Sequence, residues 1–211
     1  MTIDKKFIDQ FINVTSKAAL ASSYLIGKKD KNAADKAAVD SMRTELNKIN
    51  MTGEIVIGEG YLDEAPMLYN GEILGTKNGP LFDIAVDPLE GTNFAANNLP
   101  GAITVLAIGE KNNLFKAPET YMNKIATGKI ESGLIDLDYP IEKNIKNLSE
   151  FKNKDVSSLT ACILDRPRHK KIIDELSELK VNIKLITDGD VAGALLVTKP
   201  IYNVDIFLGI G

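Results

Sequence analysis

The apolar run Ile84-Ala85-Val86 passes directly into Asp87-Pro88-Leu89-Glu90-Gly91-Thr92, and no other stretch constrains this chain as strongly. The run predicts a short buried strand. The hexamer after it brings two carboxylates, a tight turn, a glycine and a hydroxyl to the strand's end. Carboxylates are hard oxygen donors suited to Mg2+ or Mn2+. Glycine at position 91 lets backbone approach a bulky anion, with the amides of a following helix facing it. A second acidic cluster, Gly58-Glu59-Gly60-Tyr61-Leu62-Asp63-Glu64-Ala65-Pro66, comes after another apolar run, Ile55-Val56-Ile57. Converging carboxylates repel unless a cation lies between them, so the pair of clusters suggests metal-assisted phosphatase chemistry. In isolation the hexamer could also be an ordinary β-turn, since Asp-Pro and Gly-Thr are common turn pairs.

With 211 residues, 44% hydrophobic and 26% charged, the chain has room for one large domain, or one domain and part of another. Its net charge of -4, with lysines and acids interspersed, excludes a general nucleic-acid footprint. The single cysteine, Cys162, sits in Thr160-Ala161-Cys162-Ile163-Leu164 and reads as a buried thiol without an internal disulfide partner. His169 is the only histidine, which argues against a His-based zinc site or a serine-type triad. It is expected at an exposed or substrate-flanking position. Charged residues among the first ten argue against a secretory signal, and no apolar stretch is long enough to span a bilayer. The expected location is cytoplasmic.

Apolar spacing predicts helices over 4–24 and from about 33 to 47, then strands at 54–57, 82–86 and 103–108. Residues 70–80 read as a hairpin or long loop, and 121–138 as β-like and turn-rich. The Lys- and Asn-rich segment 142–154 reads as a junction, giving units 1–154 and 155–211. Beyond it, strands at 159–164, 181–186 and 204–208 alternate with helices at 167–179 and 190–197, the pattern of an α/β unit. The chain stops just as a buried strand enters a glycine turn, so it is expected to be cut short, with one sheet face uncovered. Such a face favours self-association into a homo-oligomer.

Three further clusters carry charge at element starts. In Lys29-Asp30-Lys31-Asn32-Ala33-Ala34-Asp35, Asp35 could face a metal and Lys31 counter a phosphate, or Asn32 could simply cap a surface helix. Arg166-Pro167-Arg168-His169 suits recognition of a second phosphate, or is a basic surface helix start. The acids of Thr187-Asp188-Gly189-Asp190-Val191 could accept hydrogen bonds from sugar hydroxyls at strand C-termini, or cap the next helix. No dinucleotide fingerprint or Walker A lysine is present.

Taken together, Ile57-Gly58-Glu59-Gly60, Asp63-Glu64-Ala65-Pro66-Met67-Leu68, Asp83 to Thr92 and Ala117-Pro118-Glu119-Thr120-Tyr121-Met122 resemble class II fructose-1,6-bisphosphatase, the GlpX type. The Lys31, Arg166, Asp188 and Gly209-Ile210-Gly211 clusters agree in order and spacing. The hexamer from Asp87 alone marks the wider lithium-sensitive, metal-dependent sugar and inositol phosphatase superfamily. The resemblance implies an α/β (α+β), layered sugar-phosphatase fold of the FBPase/inositol monophosphatase kind, with its C-terminal half incomplete. It implies hydrolysis of the 1-phosphate of fructose 1,6-bisphosphate to fructose 6-phosphate and phosphate, a gluconeogenic step. A sedoheptulose-1,7-bisphosphatase, a dual-specificity enzyme and an inactive sugar-phosphate-binding fragment are the alternatives.

Carried over by motif, Asp35, Glu59, Asp87 and Glu90 would hold Mn2+ or Mg2+. Glu90, Gly91 and Thr92 would meet the scissile phosphate. Tyr121, Arg166-Pro167-Arg168 and Asp188-Gly189-Asp190 would meet the rest of the substrate. Lys31, Glu59, Asp63 and Thr92 match residues expected to act in turnover. Family members continue past Gly211 with a further glycine and then Ala-Pro-Glu-Gly. That glycine contacts substrate and that glutamate is another metal ligand, so this chain is expected to lack part of the metal site.

Overall fold

A computed structural model describes residues 3–60, 67–118 and 120–211. It is a mixed α/β structure of two compact units, residues 1–118 and 119–211. In the first unit, α1 (Lys5–Ser23) begins where Asp4 accepts a hydrogen bond from the Lys6 N–H. It buries Phe7, Phe11, Val14 and Ala18, a stripe at helical spacing. α2 (Lys31–Leu46) is capped by Asp30, whose side chain accepts from the Ala33 N–H at 2.9 Å. The cap is therefore not Asn32, and Lys31 is the first helical residue. Ala34, Ala38, Met42 and Leu46 form its buried face.

Four strands come next, β1 (Thr52–Ile57), β2 (Ile73–Leu74), β3 (Leu81–Glu90) and β4 (Ile103–Glu110), with the five-residue helix α3 (Thr92–Ala96) between the last two. Their order in the sheet is β2-β1-β3-β4, with β3 parallel to β1 and antiparallel to β4. The core joins Phe7, Phe11 and Met42 from the helices to Ile55, Phe82 and Ile84 from the strands. Phe82 meets the rings of Phe7 and Phe11 edge-on, at 5.2 and 6.0 Å between centroids.

The DPLEG segment departs from expectation. Its first four residues, Asp87 to Glu90, do not come after the strand; they are the end of β3, and Gly91 leads into the next helix. Between Asp87 and Glu90 the strand takes three steps where β4 takes two, from Val105 to Ile103. This bulge sits at Pro88, which has no N–H to give to a ladder.

In the second unit, β5 (Asn123–Thr127), α4 (Ile141–Lys152), β6 (Thr160–Leu164), α5 (Lys170–Glu178), β7 (Asn182–Ile186), α6 (Asp190–Leu195) and β8 (Ile206–Ile210) succeed one another in that order. The strand order is β5-β8-β6-β7, with β6 parallel to both neighbours and β5 antiparallel to β8. Alternation along β6 and β8 sends Ala161, Ile163, Ile206 and Leu208 to one core, and Cys162, Leu164 and Phe207 to another. Burial pushes the Cys162 thiol up to about 11, in keeping with a core residue.

The segment read as a junction is the helix α4, which buries Ile145 and Leu148 against the same core as α5. Residues 120–154 thus fold with the second unit. Asp205 is buried there and accepts from Lys152 (2.7 Å), Lys154 (3.1 Å) and the Thr160 N–H (2.9 Å). Among the described residues no helix is long and apolar enough to cross a membrane.

Candidate active site

In the first unit the acidic positions lie on three elements. Asp35 is on α2, one turn after Lys31, which is exposed. Glu59 lies just beyond β1, while Asp87 and Glu90 lie on the bulged end of β3. Glu59 is pushed up to about 7, first by burial and then by the charges of Asp35 and Asp87. Asp35 is raised by burial. These three carboxylates therefore share one electrostatic neighbourhood.

Asp35 Oδ1 and Glu59 Oε2 are both shielded from solvent without a hydrogen-bond partner. Burying a carboxylate oxygen unsatisfied is costly, and a cation between like charges removes both penalties. The donor set is all oxygen, which fits a hard divalent ion. Among the described residues no three His, Cys, Asp or Glu side chains form a group that could by itself hold a metal ion. Glu90 is 8% exposed and belongs to the same strand end.

Local backbone explains how Glu59 is held. Its N–H donates to the Leu68 carbonyl at 2.9 Å, which ties residue 59 to residue 68. Gly58 is required there, because a Cβ would come within 2.2 Å of that same carbonyl. Gly91 has φ of 79° and opens α3, whose first residue is Thr92. A side chain at 91 would be strained and would press on the Phe94 ring at 2.9 Å. Asp63, expected to act in turnover, lies outside the described residues, as does its neighbour Glu64.

In the second unit the expected substrate residues gather at the C-terminal ends of the parallel strands, where open α/β sheets bind ligands. Arg166 and Pro167 come after β6, Asp188 and Gly189 after β7, and Asp190 opens α6. The Arg166 guanidinium lies 3.7 Å from the Asp188 carboxylate. Arg168 donates to the Ile210 carbonyl at 2.6 Å and stands 5.0 Å from the centre of the exposed Tyr121 ring. Asp190 accepts from Lys124 at 3.2 Å. Gly189 takes φ of 85°, a conformation that glycine adopts without strain.

His169 is not exposed. It is fully buried and joins two strand ends: the Ile210 N–H donates to Nε2 at 2.9 Å, leaving Nδ1 to donate to the Leu164 carbonyl at 2.7 Å. A short Arg-Pro-Arg-His run gave no sign that its last member turns inward. Lys124 was equally invisible, since a single lysine on a turn-rich segment carries no spacing signal.

The family model for bacterial, glpX-encoded fructose-1,6-bisphosphatase matches residues 5–211. The class 2 fructose-1,6-bisphosphatase of Haemophilus influenzae is 48% identical over 202 residues, covering 96% of this chain and 61% of that relative. The fructose-1,6-bisphosphatase 1 class 2 of Escherichia coli is 47% identical over 202 residues, covering 96% of this chain and 60% of the relative. The chain thus spans about 60% of the length of these curated relatives. With carboxylates converging at the ends of β1 and β3, and a match from α1 to the last strand, this chain belongs to the bacterial, glpX-encoded fructose-1,6-bisphosphatase family.

Proposed function

We propose that the chain serves metal-dependent hydrolysis of the 1-phosphate of fructose 1,6-bisphosphate, yielding fructose 6-phosphate and phosphate, a cytoplasmic step of gluconeogenesis. The observation that carries this reading is the desolvated cluster of Asp35, Glu59 and Asp87, whose mutual repulsion helps push Glu59 up to about 7. Asp35, Glu59, Asp87 and Glu90 would hold Mn2+ or Mg2+. When bound, such an ion would neutralise phosphate charge and lower the pKa of water near it.

The chain's own residues then have separate tasks. Gly91 allows backbone to approach the scissile phosphate, and Thr92 orients the attacking water through its hydroxyl. Glu59 or Asp63 accepts the proton passed on by that hydroxyl. Lys31 offsets phosphate charge beside Asp35. Arg166 and Arg168 bind the second phosphate by charge-assisted hydrogen bonds, with Pro167 fixing the turn between them. Tyr121 supports Arg168 through its ring face. Asp188 and Asp190, spaced by Gly189, accept hydrogen bonds from sugar hydroxyls.

The test is phosphate release by the protein as isolated from its source, with fructose 1,6-bisphosphate and with sedoheptulose 1,7-bisphosphate, in the presence of Mn2+ or Mg2+. Metal-dependent release favouring the fructose compound supports the reading. Preference for the seven-carbon compound would reassign the substrate. Release that persists at full rate in Asp87→Asn would contradict the proposed metal set.

A further inference from the structure

We propose that Arg43 is a positioning residue for the metal site, setting the spacing between Asp35 and Glu59. The inference rests on the proposed reading of those two carboxylates as metal ligands. Asp35 and Arg43 are carried by the same helix, α2, about two turns or roughly 12 Å apart along its axis. Glu59 lies on a different element, beyond β1. Something must therefore fix one relative to the other.

The Arg43 guanidinium makes that link. Its Nε donates to Glu72 Oε1 at 2.8 Å, and Nη2 donates to Glu72 Oε2 at 3.2 Å. Nη2 also donates to the Met67 carbonyl at 2.5 Å. The fork thus grips both ends of the segment 67–72. That segment is in turn stitched to β1 and to Glu59 itself. The Glu59 N–H donates to Leu68 (2.9 Å), the Ile55 N–H to Glu72 (2.9 Å), and the Gly71 N–H to Ile55 (2.7 Å). A continuous path of short bonds runs from α2 through Arg43 to the backbone of Glu59.

The pair is well placed to carry load. Its side chains are only 25% and 11% exposed, so solvent screens it less than a surface ion pair. It is bidentate, which fixes direction as well as distance. The need for it comes from the site: Asp35 Oδ1 and Glu59 Oε2 are both buried without a hydrogen-bond partner, and like charges left so repel one another. A clamp that resists their separation keeps both oxygens in place for a cation. Lysine offers one ammonium and cannot reproduce the fork.

The experiment compares wild type with Arg43→Ala, Arg43→Lys and Glu72→Gln, measuring Mn2+ binding to the metal-stripped protein by titration calorimetry. Metal-dependent turnover, KM for fructose 1,6-bisphosphate and thermal stability are measured alongside. We expect Mn2+ affinity to fall at least about tenfold in Arg43→Ala and by an intermediate factor in the other two, with KM little changed. Lowered thermal stability with unchanged Mn2+ affinity would overturn the proposal, because a merely structural clamp does that. Should Arg43→Ala fail to fold, the Arg43→Lys and Glu72→Gln variants decide. Failure of all three to fold would overturn it as well. If wild type binds Mn2+ but releases no phosphate, the assigned reaction falls while the calorimetric comparison still tests Arg43. If wild type binds no Mn2+, both fall.

Discussion

The two ends of β1 and β3 treat the same kind of charge in opposite ways. Where the strands begin, Glu54 and Asp83 stand opposite one another in the parallel register. Lys111 pairs with both, and Lys116 reaches Glu54 at 3.1 Å. Glu54 is held below the usual carboxylate range, chiefly by its hydrogen bond from Lys111. Burial would raise Asp83, but donation from the Leu114 N–H and from Lys111 outweighs it, and that carboxyl too is lowered. Where the strands end, Glu59 is raised to about 7 by burial and by Asp35 and Asp87. There Asp35 Oδ1 and Glu59 Oε2 are buried without a hydrogen-bond partner. One end carries its own counter-charges: even Asp83 Oδ1, buried without a hydrogen bond, has the Lys111 ammonium 3.3 Å away. The other gathers acids at a cost in stability, which makes sense if a cation from outside completes it.

The sharpest way to break this comparison is to remove a charge from the second end. Asp87→Asn should lower metal-dependent turnover by roughly 1000-fold while leaving the circular dichroism spectrum intact. The same kind of insult at the first end should damage stability alone. Lys111→Met leaves Asp83, which is fully buried, without its cation and should cost about 2 kcal/mol by urea unfolding. Its Mn2+ affinity should stay within about twofold of wild type, since the two ends are separate.

A matched pair of neutralising substitutions sharpens the contrast further. Glu59→Gln relieves repulsion and should raise the melting temperature of the metal-free protein by about 2–4 °C, while abolishing its further rise on adding Mn2+. Glu54→Gln removes a satisfied anion and should lower the melting temperature with the Mn2+ response retained.

The smallest effect is the pH dependence of the metal-free protein. A carboxyl raised on folding contributes stability below its unfolded value and loses it as pH rises through the folded one. For Glu59 that window lies between its ordinary 4.5 and about 7. Glu54 and Asp83, lowered on folding, do the reverse: their contribution is full above their ordinary 4.5 and 3.8 and is lost in stronger acid. Stability measured by urea unfolding should therefore rise from pH 8 to pH 5 and fall below about pH 4. In Glu59→Gln the limb should shrink to what Asp35, also raised by burial, contributes.

Much of this was legible in the chain because strand ends announce themselves. Apolar runs broken by Gly, Pro and acids located β1, β3, β6 and β7, and two of the acids at their ends, Glu59 and Asp87, share one electrostatic neighbourhood in the fold. What stayed hidden depends on partners distant in sequence. The bulge at Pro88 exists only against β4, so DPLEG read as a turn after the strand. α4 carries Ile141, Ile145 and Leu148 at helical spacing, but the exposed lysines among them, and an asparagine, Asn144, that is itself buried, masked the pattern. Lys111 and Arg43 each look like ordinary surface cations until the residues they hold, 28 and 29 positions away for Asp83 and Glu72, are placed beside them. His169 turned inward for the same reason: the amide that fixes it belongs to Ile210.

The most direct test of the claim that the ends of β1 and β3 form a cation site is a calorimetric Mn2+ titration of metal-stripped wild type, Asp87→Asn and Glu54→Gln, side by side. Saturable binding in wild type and Glu54→Gln, with loss in Asp87→Asn, is the predicted result. Equal binding in all three, or none in wild type, would contradict the account.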